Sequence, residues 1–275
     1  MKVGIIGLGL IGGSLGLNLK ENKLVSSVVG YDVCEKNAKR ALELGLVHEI
    51  VDFDTIKKSD IIFLSVPVNA IIDILKKLED VDEHTTIVEL GSTKLTTYDS
   101  VSDKLKNNLI LAHPMAGTEF SGPDAALKKL FENAVCVLCD SEKMSSFHTH
   151  RAIELLTHLG MKITFMDSKS HDERTAVISH LPHVISFSLA NLVLNKEDKS
   201  TILHLAGGSF SDMSRIAKSS PIMWESVFRQ NKDNVLNSLR EFKKELELFE
   251  NMLQNDEYET IIKWMKNANK LKDIL

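Results

Sequence analysis

Gly7-Leu8-Gly9-Leu10-Ile11-Gly12 closes an apolar run that starts at residue 2 and opens onto a helix-forming stretch at 12–20. Glycines at this spacing, between a strand and a helix, can cradle a pyrophosphate. Gly7 permits the tight turn, Gly9 lets a phosphate approach the backbone, and Gly12 lets helix and strand pack closely. The helix that follows offers unpaired N–H groups and a partial positive charge to the phosphates. Asp32 stands 20 residues beyond Gly12, at the end of a second apolar run (32 − 12). A carboxylate there accepts hydrogen bonds from both ribose hydroxyls of NAD and repels the 2′-phosphate of NADP. His113 follows another apolar run and precedes Pro114 and a glycine-containing loop, which makes it a candidate base, with a turn-structuring histidine as the competing reading.

These residues need a scaffold. Short apolar runs, several of them β-branched, predict strands at 2–7, 25–32, 61–66, 85–90, 108–113, 134–139 and 162–167. Helical segments at 35–44 and 70–78 fall between them, the alternation of a doubly wound α/β sheet covered on both faces. Ligands of such sheets bind beyond the carboxyl ends of the strands. Ser65-Val66-Pro67, Gly91-Ser92-Thr93-Lys94 and the loop from Ala112 to Glu119 all lie there.

After residue 167 no strand is predicted. A long helical candidate at 172–194 is interrupted by Pro182, and Pro221 opens another helix through Phe228. Val235, Leu239, Phe242, Leu246, Phe249 and Leu253 form an a/d seam, with Leu236 and Leu248 as a second apolar edge. This predicts a broadly buried helix, against a neighbouring helix or a second subunit. Asp256 with Glu259 resembles a capping box opening a last helix at 257–275. The reading is therefore a dinucleotide-binding domain at 1–167 and an all-helical domain at 168–275. Arg215 is either a carboxylate clamp or a surface charge. His180 and His183 are one turn apart, but Pro182 lies between them and no further ligands follow at matching spacing, so no metal site is predicted.

Net charge is −5 and the sequence pI about 6.1, which does not suggest a nucleic-acid partner; positive charge for an anionic substrate must be local. No signal peptide is evident, and no uninterrupted apolar run reaches the roughly 18 residues of a membrane span. A cytoplasmic protein is the expectation. Three cysteines are too few for a disulfide framework, and Cys136 and Cys139 fall on a predicted strand, where three apart means opposite faces. Buried, inert thiols are expected. His48, His84, His148, His150 and His158 lie among polar or helical surface residues and receive no role.

Taken together, GLGLIGGSLG at the start, VP at 66–67, GSTK at 91–94, AHPMAGTEFSG at 112–122, SHLPH at 179–183 and FSDMSRIAKSSPIMW at 210–224 resemble the prephenate dehydrogenases of tyrosine biosynthesis. The segments keep that family's order along almost the whole chain. Without a chorismate mutase segment or a regulatory domain, the chain resembles the monofunctional form. Glu89 departs from the family, which usually has Asp before the Gly-Ser.

The resemblance implies NAD as cofactor, held by Gly7, Gly9, Leu10, Ile11, Gly12, Asp32, Ser65, Val66, Pro67 and Ser92. It implies that His113 accepts the proton of the substrate's ring hydroxyl or its hydrogen bond, with Ser92 orienting His113 and the hydroxyl near the nicotinamide. Arg215 would bind a substrate carboxylate and His183 the pyruvyl side chain, while Gly117, Thr118, Glu119, Asp212 and Trp224 line or gate the pocket. A packing role for Trp224 is nearly as good a reading. The expected reaction is NAD-dependent oxidative decarboxylation of prephenate to 4-hydroxyphenylpyruvate, in a homodimer joined through the helical domain. Arogenate or dual substrate use is the near alternative. A β-hydroxyacid dehydrogenase would need a lysine such as Lys218 and leaves AHPMAG unexplained. A non-catalytic NAD-binding regulator would not need His113, Ser92 and Arg215 together.

Overall fold

The computed structural model describes residues 1–274. Its centre is an eight-stranded sheet in the order β3-β2-β1-β4-β5-β6-β7-β8. The strands are β1 (Lys2–Ile6), β2 (Ser27–Tyr31), β3 (Glu49–Ile50), β4 (Ile61–Leu64), β5 (Thr86–Glu89), β6 (Leu109–Pro114), β7 (Val135–Cys139) and β8 (Lys162–Met166). The fold is a Rossmann-type sheet followed by helices. β1 to β6 are parallel; β7 runs antiparallel to β6, and β8 parallel to β7. The sequence shows every strand except β3, a two-residue edge strand with no apolar run to announce it.

β1, β4, β5 and β6 are almost wholly buried because both faces are covered, which is why they read as continuous apolar runs. Strand order reverses between β1 and β4, so the crevice at their carboxyl ends is the switch point where an open α/β sheet takes its ligand. α1 (Leu10–Leu19) starts there, directly after the glycine turn.

The segment 168–196 is one continuous helix. Asp167 caps it, accepting from the Ser170 N–H at 2.9 Å. The expected interruption at Pro182 is absent. A π-turn, Ala176–His180, precedes the proline and disrupts the regular ladder where the missing N–H would have been needed. No uninterrupted apolar run in it approaches the length of a span, yet its best window has a mean hydropathy of 1.5, long and apolar enough to cross a membrane by length and composition. Serine, asparagine and histidine break the run without removing its apolar character. Only 17% of that window is buried within the chain.

The helix Pro221–Gln230, opened by a Ser220 cap, folds back onto the helix Val68–Lys77. The Gln230 amide donates to the Val68 carbonyl (2.9 Å) and accepts from Thr93 Oγ1 (2.7 Å), and Asn69 donates to Ser226 (3.0 Å). By packing, the first compact unit accordingly extends over Met1–Lys232.

The second unit, Asp233–Leu275, holds most of the helix Lys232–Gln254 and the helix Tyr258–Ala268. Phe249 and Trp264 pack at 5.5 Å between ring centroids, and the Trp264 indole donates to Glu245. Val235 and Met252 are buried, but Leu236, Leu246, Leu248 and Leu253 are exposed, so the seam is not broadly buried within the chain. The capping box is also absent: Asp256 adopts φ +56°, and no side chain caps the last helix.

Candidate active site

The glycine turn has the shape its spacing implies. Gly7 sits at φ +91°, and a Cβ on Gly12 would stand 1.9 Å from the Gly7 carbonyl oxygen, an overlap no side-chain shift relieves. Around Gly9 there is room: its nearest neighbour to an added Cβ would be the Gly122 nitrogen, 3.9 Å away. Leu10 and Ile11 begin α1 with Gly9 as its N-cap residue, leaving the first N–H groups free of side-chain caps. Ser65 donates to the Gly7 carbonyl (2.7 Å), fixing the turn against the end of β4, where Val66 and Pro67 follow. Asp32 accepts from Leu8 N (2.8 Å) through one oxygen and from Cys34 N (2.8 Å) through the other. Each oxygen keeps a lone pair, so the carboxylate is oriented and still able to accept from a ribose. These residues fit an adenine dinucleotide.

A strap from Met115 to Lys128 passes beside this turn. Leu127 N donates to Ser14 (2.9 Å), Asp124 accepts from Arg40 at 2.9 and 2.6 Å, and Lys128 pairs with Glu21 at 2.7 Å. Gly117, exposed, and the half-buried Thr118 and Glu119 lie at its start.

His113 sits one residue before the end of β6 and is buried, opposite Val137 of β7. Its Nδ1 lies 2.8 Å from Nε2 of His171. Nδ1 of His171 lies 2.8 Å from Asp172, whose carboxylate also accepts from Lys94 N (2.9 Å) and Leu95 N (3.0 Å). Among the described residues it is thus His171, not Ser92, that is bonded to His113; Ser92 is half-buried in the turn after β5. Burial, and behind it repulsion of a second positive charge beside His171, Lys94 and His180, pushes the His113 imidazole well below its ordinary range.

Behind these residues lies an ion pair with no exposure at either side chain, Lys94 with Glu89. Lys94 Nζ also donates to the Ala112 carbonyl (2.6 Å), next to His113, and Glu89 accepts from Gly91 N (2.9 Å). Burial raises the Glu89 carboxyl, against the pull of Lys94. The longer glutamate spans from the strand end to both partners. Cys136 and Cys139 of β7 are buried, and burial pushes both thiols up to about 12, which leaves them without a thiolate near neutral pH.

The remaining residues form two groups. Arg215 is 57% exposed and pairs with Glu119 at 3.3 Å. Asp212 is exposed on the short helix Gly208–Ser214, and among the described residues no ion pair joins it to Arg215. His183 stacks on Trp224 at 3.6 Å and 27°, with its Nδ1–H donated to the Ser179 carbonyl (2.9 Å). Trp224 also meets His180 edge-on and lies against Phe228. Asn231 donates to both His180 (3.1 Å) and the Asp172 carbonyl (2.7 Å).

Comparison with known proteins places this arrangement. Residues 15–165 match the prephenate dehydrogenase nucleotide-binding domain, and 167–267 match the prephenate dehydrogenase dimerization domain. The chain belongs to the prephenate dehydrogenase family. Prephenate dehydrogenase of Bacillus subtilis is 30% identical over 98% of this chain and 74% of its own length. The crystal structure of prephenate dehydrogenase from A. aeolicus with hydroxyphenyl propionate and NAD+ superposes with a TM-score of 0.91 at 29% identity, covering 100% of this chain and 97% of that one. Synechocystis arogenate dehydrogenase follows at 0.80 and 28%, covering 99% of each. A dehydrogenase of this type, dependent on a nicotinamide dinucleotide, is the activity the family carries.

His171 and Asp172 are the residues that sequence reading passed over. Their one signal is the His-Asp pair just inside a capped helix start, which carries no spacing rule tying it to a strand end 58 residues earlier. His148 was misplaced in the other direction: it is buried, bonded to Thr86 (2.7 Å) and the Glu83 carbonyl (3.1 Å), because its helix packs on the sheet.

Proposed function

We propose that the chain catalyses the NAD+-dependent oxidative decarboxylation of prephenate to 4-hydroxyphenylpyruvate. The observation that carries this reading is the buried His113, neutral near pH 7 and bonded through Nδ1, at the carboxyl edge of the sheet that bears the dinucleotide turn. A neutral imidazole there can take the proton of a ring hydroxyl. Bound NAD+ supplies the hydride acceptor. His113 withdraws the hydroxyl proton as a carbonyl forms at that carbon, and Ser92 donates to the same oxygen. The bond to the ring carboxylate then breaks, carbon dioxide leaves, and its electron pair makes the ring aromatic and returns to the carbonyl oxygen, which takes back the proton held by the base to give the hydroxyl.

Arg215 takes a substrate carboxylate in a planar fork, displacing Glu119, with which it pairs in the free protein. Glu119, Thr118, Gly117 and Asp212 line the entrance. His183, held by Trp224, offers Nε2 to the pyruvyl side chain. Asp32 selects NAD+ over NADP+. A homodimer in the cytoplasm belongs to the same reading, and the exposed apolar side chains of the second half support the dimer: Ile178, Leu194, Leu203 and Leu205 are each more than two-thirds exposed in the single chain, an apolar surface that calls for a partner.

Arogenate is the second reading, favoured by the match to the arogenate dehydrogenase structure. The two substrates differ at the side chain that His183 would meet. The test follows NADH formation at 340 nm with each substrate, and repeats it with NADP+. Turnover of prephenate with NAD+ supports the proposal; turnover of arogenate alone overturns the substrate and keeps the base.

A further inference from the structure

The bonds around His113 have a direction. The Asp172 carboxylate accepts from two backbone N–H groups, Lys94 and Leu95, and can only accept from its third partner as well. Nδ1 of His171 must therefore carry a proton; a bare nitrogen there would set two acceptors face to face at 2.8 Å. A neutral His171 then has a lone pair on Nε2. His113, 2.8 Å away, must donate its Nδ1–H to it. What remains is a lone pair on Nε2 of His113. The hydrogen bond at one ring nitrogen thus decides the chemistry of the other.

We propose that His171 and Asp172 are positioning residues that hold His113 in the Nδ1–H tautomer and take up its displaced proton, making the base a three-residue chain. This rests on the reading of His113 as the base. The substrate O–H bond breaks and its proton joins Nε2 of His113. The Nδ1–H bond of His113 breaks and that proton joins Nε2 of His171. The electron pair of the substrate O–H bond stays on oxygen and forms the carbonyl as hydride leaves to the dinucleotide. His171 ends as a cation against the Asp172 carboxylate, and His113 is neutral again.

The chain is built for such a transfer. His171 and Asp172 are almost wholly buried, and Thr175 and Asn231 bond their backbone carbonyls at 2.9 and 2.7 Å. The titratable groups facing His113 from other elements are His171, Lys94 and His180; Lys94 is paired to Glu89, and burial lowers both His171 and His180 and so favours their neutral forms. A cation stranded on His113 would lie dry beside them. One ring further in, it meets a carboxylate.

Nitrogen-15 NMR of histidine-labelled protein tests the tautomer without turnover, with His113→Asn identifying the resonance. The expected result is a protonated Nδ1 and a bare Nε2 on His113; the opposite tautomer overturns the proposal. Kinetics test the transfer. His171→Gln keeps an acceptor for the Nδ1–H but cannot take a proton; His171→Leu has neither property. Turnover should fall on the order of 10-fold in the glutamine variant and 10²-fold or more in the leucine variant, within the range of an acid–base group. The KM for NAD+ should stay unchanged in both, which also shows that they fold. Turnover close to wild type in both variants would mean that His171 only fills space and would overturn the proposal. Wild-type protein inactive on both prephenate and arogenate would break the functional reading instead, while the spectrum still reports the tautomer.

Discussion

The turn at Gly7–Gly12 works through its backbone and is complete within a few consecutive residues, whereas the chain His113–His171–Asp172 works through side chains brought together across 58 residues. The first region needs absent side chains: a Cβ at Gly12 would strike the Gly7 carbonyl. The second needs particular side chains in a fixed order of donors and acceptors. One is a shape that any bound dinucleotide can use, and the other is a chemical polarity that, on the reading proposed above, serves one reaction. The two regions should therefore fail differently: damage to the turn should weaken NAD+ binding, and damage to the chain should slow turnover with binding intact.

His113→Asn draws that line most sharply. Turnover should drop on the order of 10²–10⁴-fold with NAD+ affinity unchanged, measured by NADH formation and by fluorescence titration. A parallel loss of NAD+ affinity would mean that the two regions are one. The pH profile of the wild type adds a second edge. An ordinary histidine titrates near ~6.5, but burial lowers His113, so the neutral, active form persists below that value. Activity per kcat/KM should stay full above pH 6.5 and fall only as the pH drops through the lowered pKa. An acid limb at or above ~6.5 would contradict the burial of the base.

The contrast explains what could be read in advance. Gly7, Gly9, Gly12 and Asp32 obey a spacing rule because one turn and one neighbouring strand place them. The buried strands were legible for the same local reason, and β3 was not, being two residues long. His171 and Asp172 obey no such rule: the helix that carries them meets β6 only in the folded chain. The family resemblance named His113 and Ser92 but not His171, which lies against His113 Nδ1. Pro182 misled in a third way, since the π-turn that accommodates it depends on packing no local propensity encodes.

Lys94→Met removes a support of the histidine chain alone. It leaves Glu89 buried without its partner, at a cost of about 3–5 kcal/mol, read as a lowered midpoint of denaturant unfolding. The double variant Lys94→Met/Glu89→Leu should recover much of the loss, since an apolar pair of similar volume tolerates burial. If the double variant is as unstable as the single one, the Lys94 bond to the Ala112 carbonyl, and not the ion pair, is what the fold requires.

Arg215→Ala should spare stability, NAD+ affinity and the base alike. Loss of a charge-assisted contact worth ~1.5–3 kcal/mol predicts a 10- to 10²-fold rise in the KM for substrate, with kcat little changed. A comparable rise in the KM for NAD+ would place Arg215 at the cofactor instead.

The smallest effect expected is at the strap, which touches the dinucleotide region from outside. Arg40 and Asp124 are exposed, and exposed pairs contribute roughly 0–1 kcal/mol. Arg40→Ala should therefore raise the KM for NAD+ no more than about fivefold, the factor that such an energy allows. Asp124→Ala should give the same change, and the double variant no further loss, because the pair acts as one unit. Salt should reduce the difference from wild type, as screening weakens an exposed pair. If the strap bore on the base as well, these variants would also lower turnover with NAD+ saturating. Turnover that holds while the KM for NAD+ moves keeps the strap with the glycine turn, and leaves the histidine chain supported by Lys94, Leu95 and Asn231 from beneath.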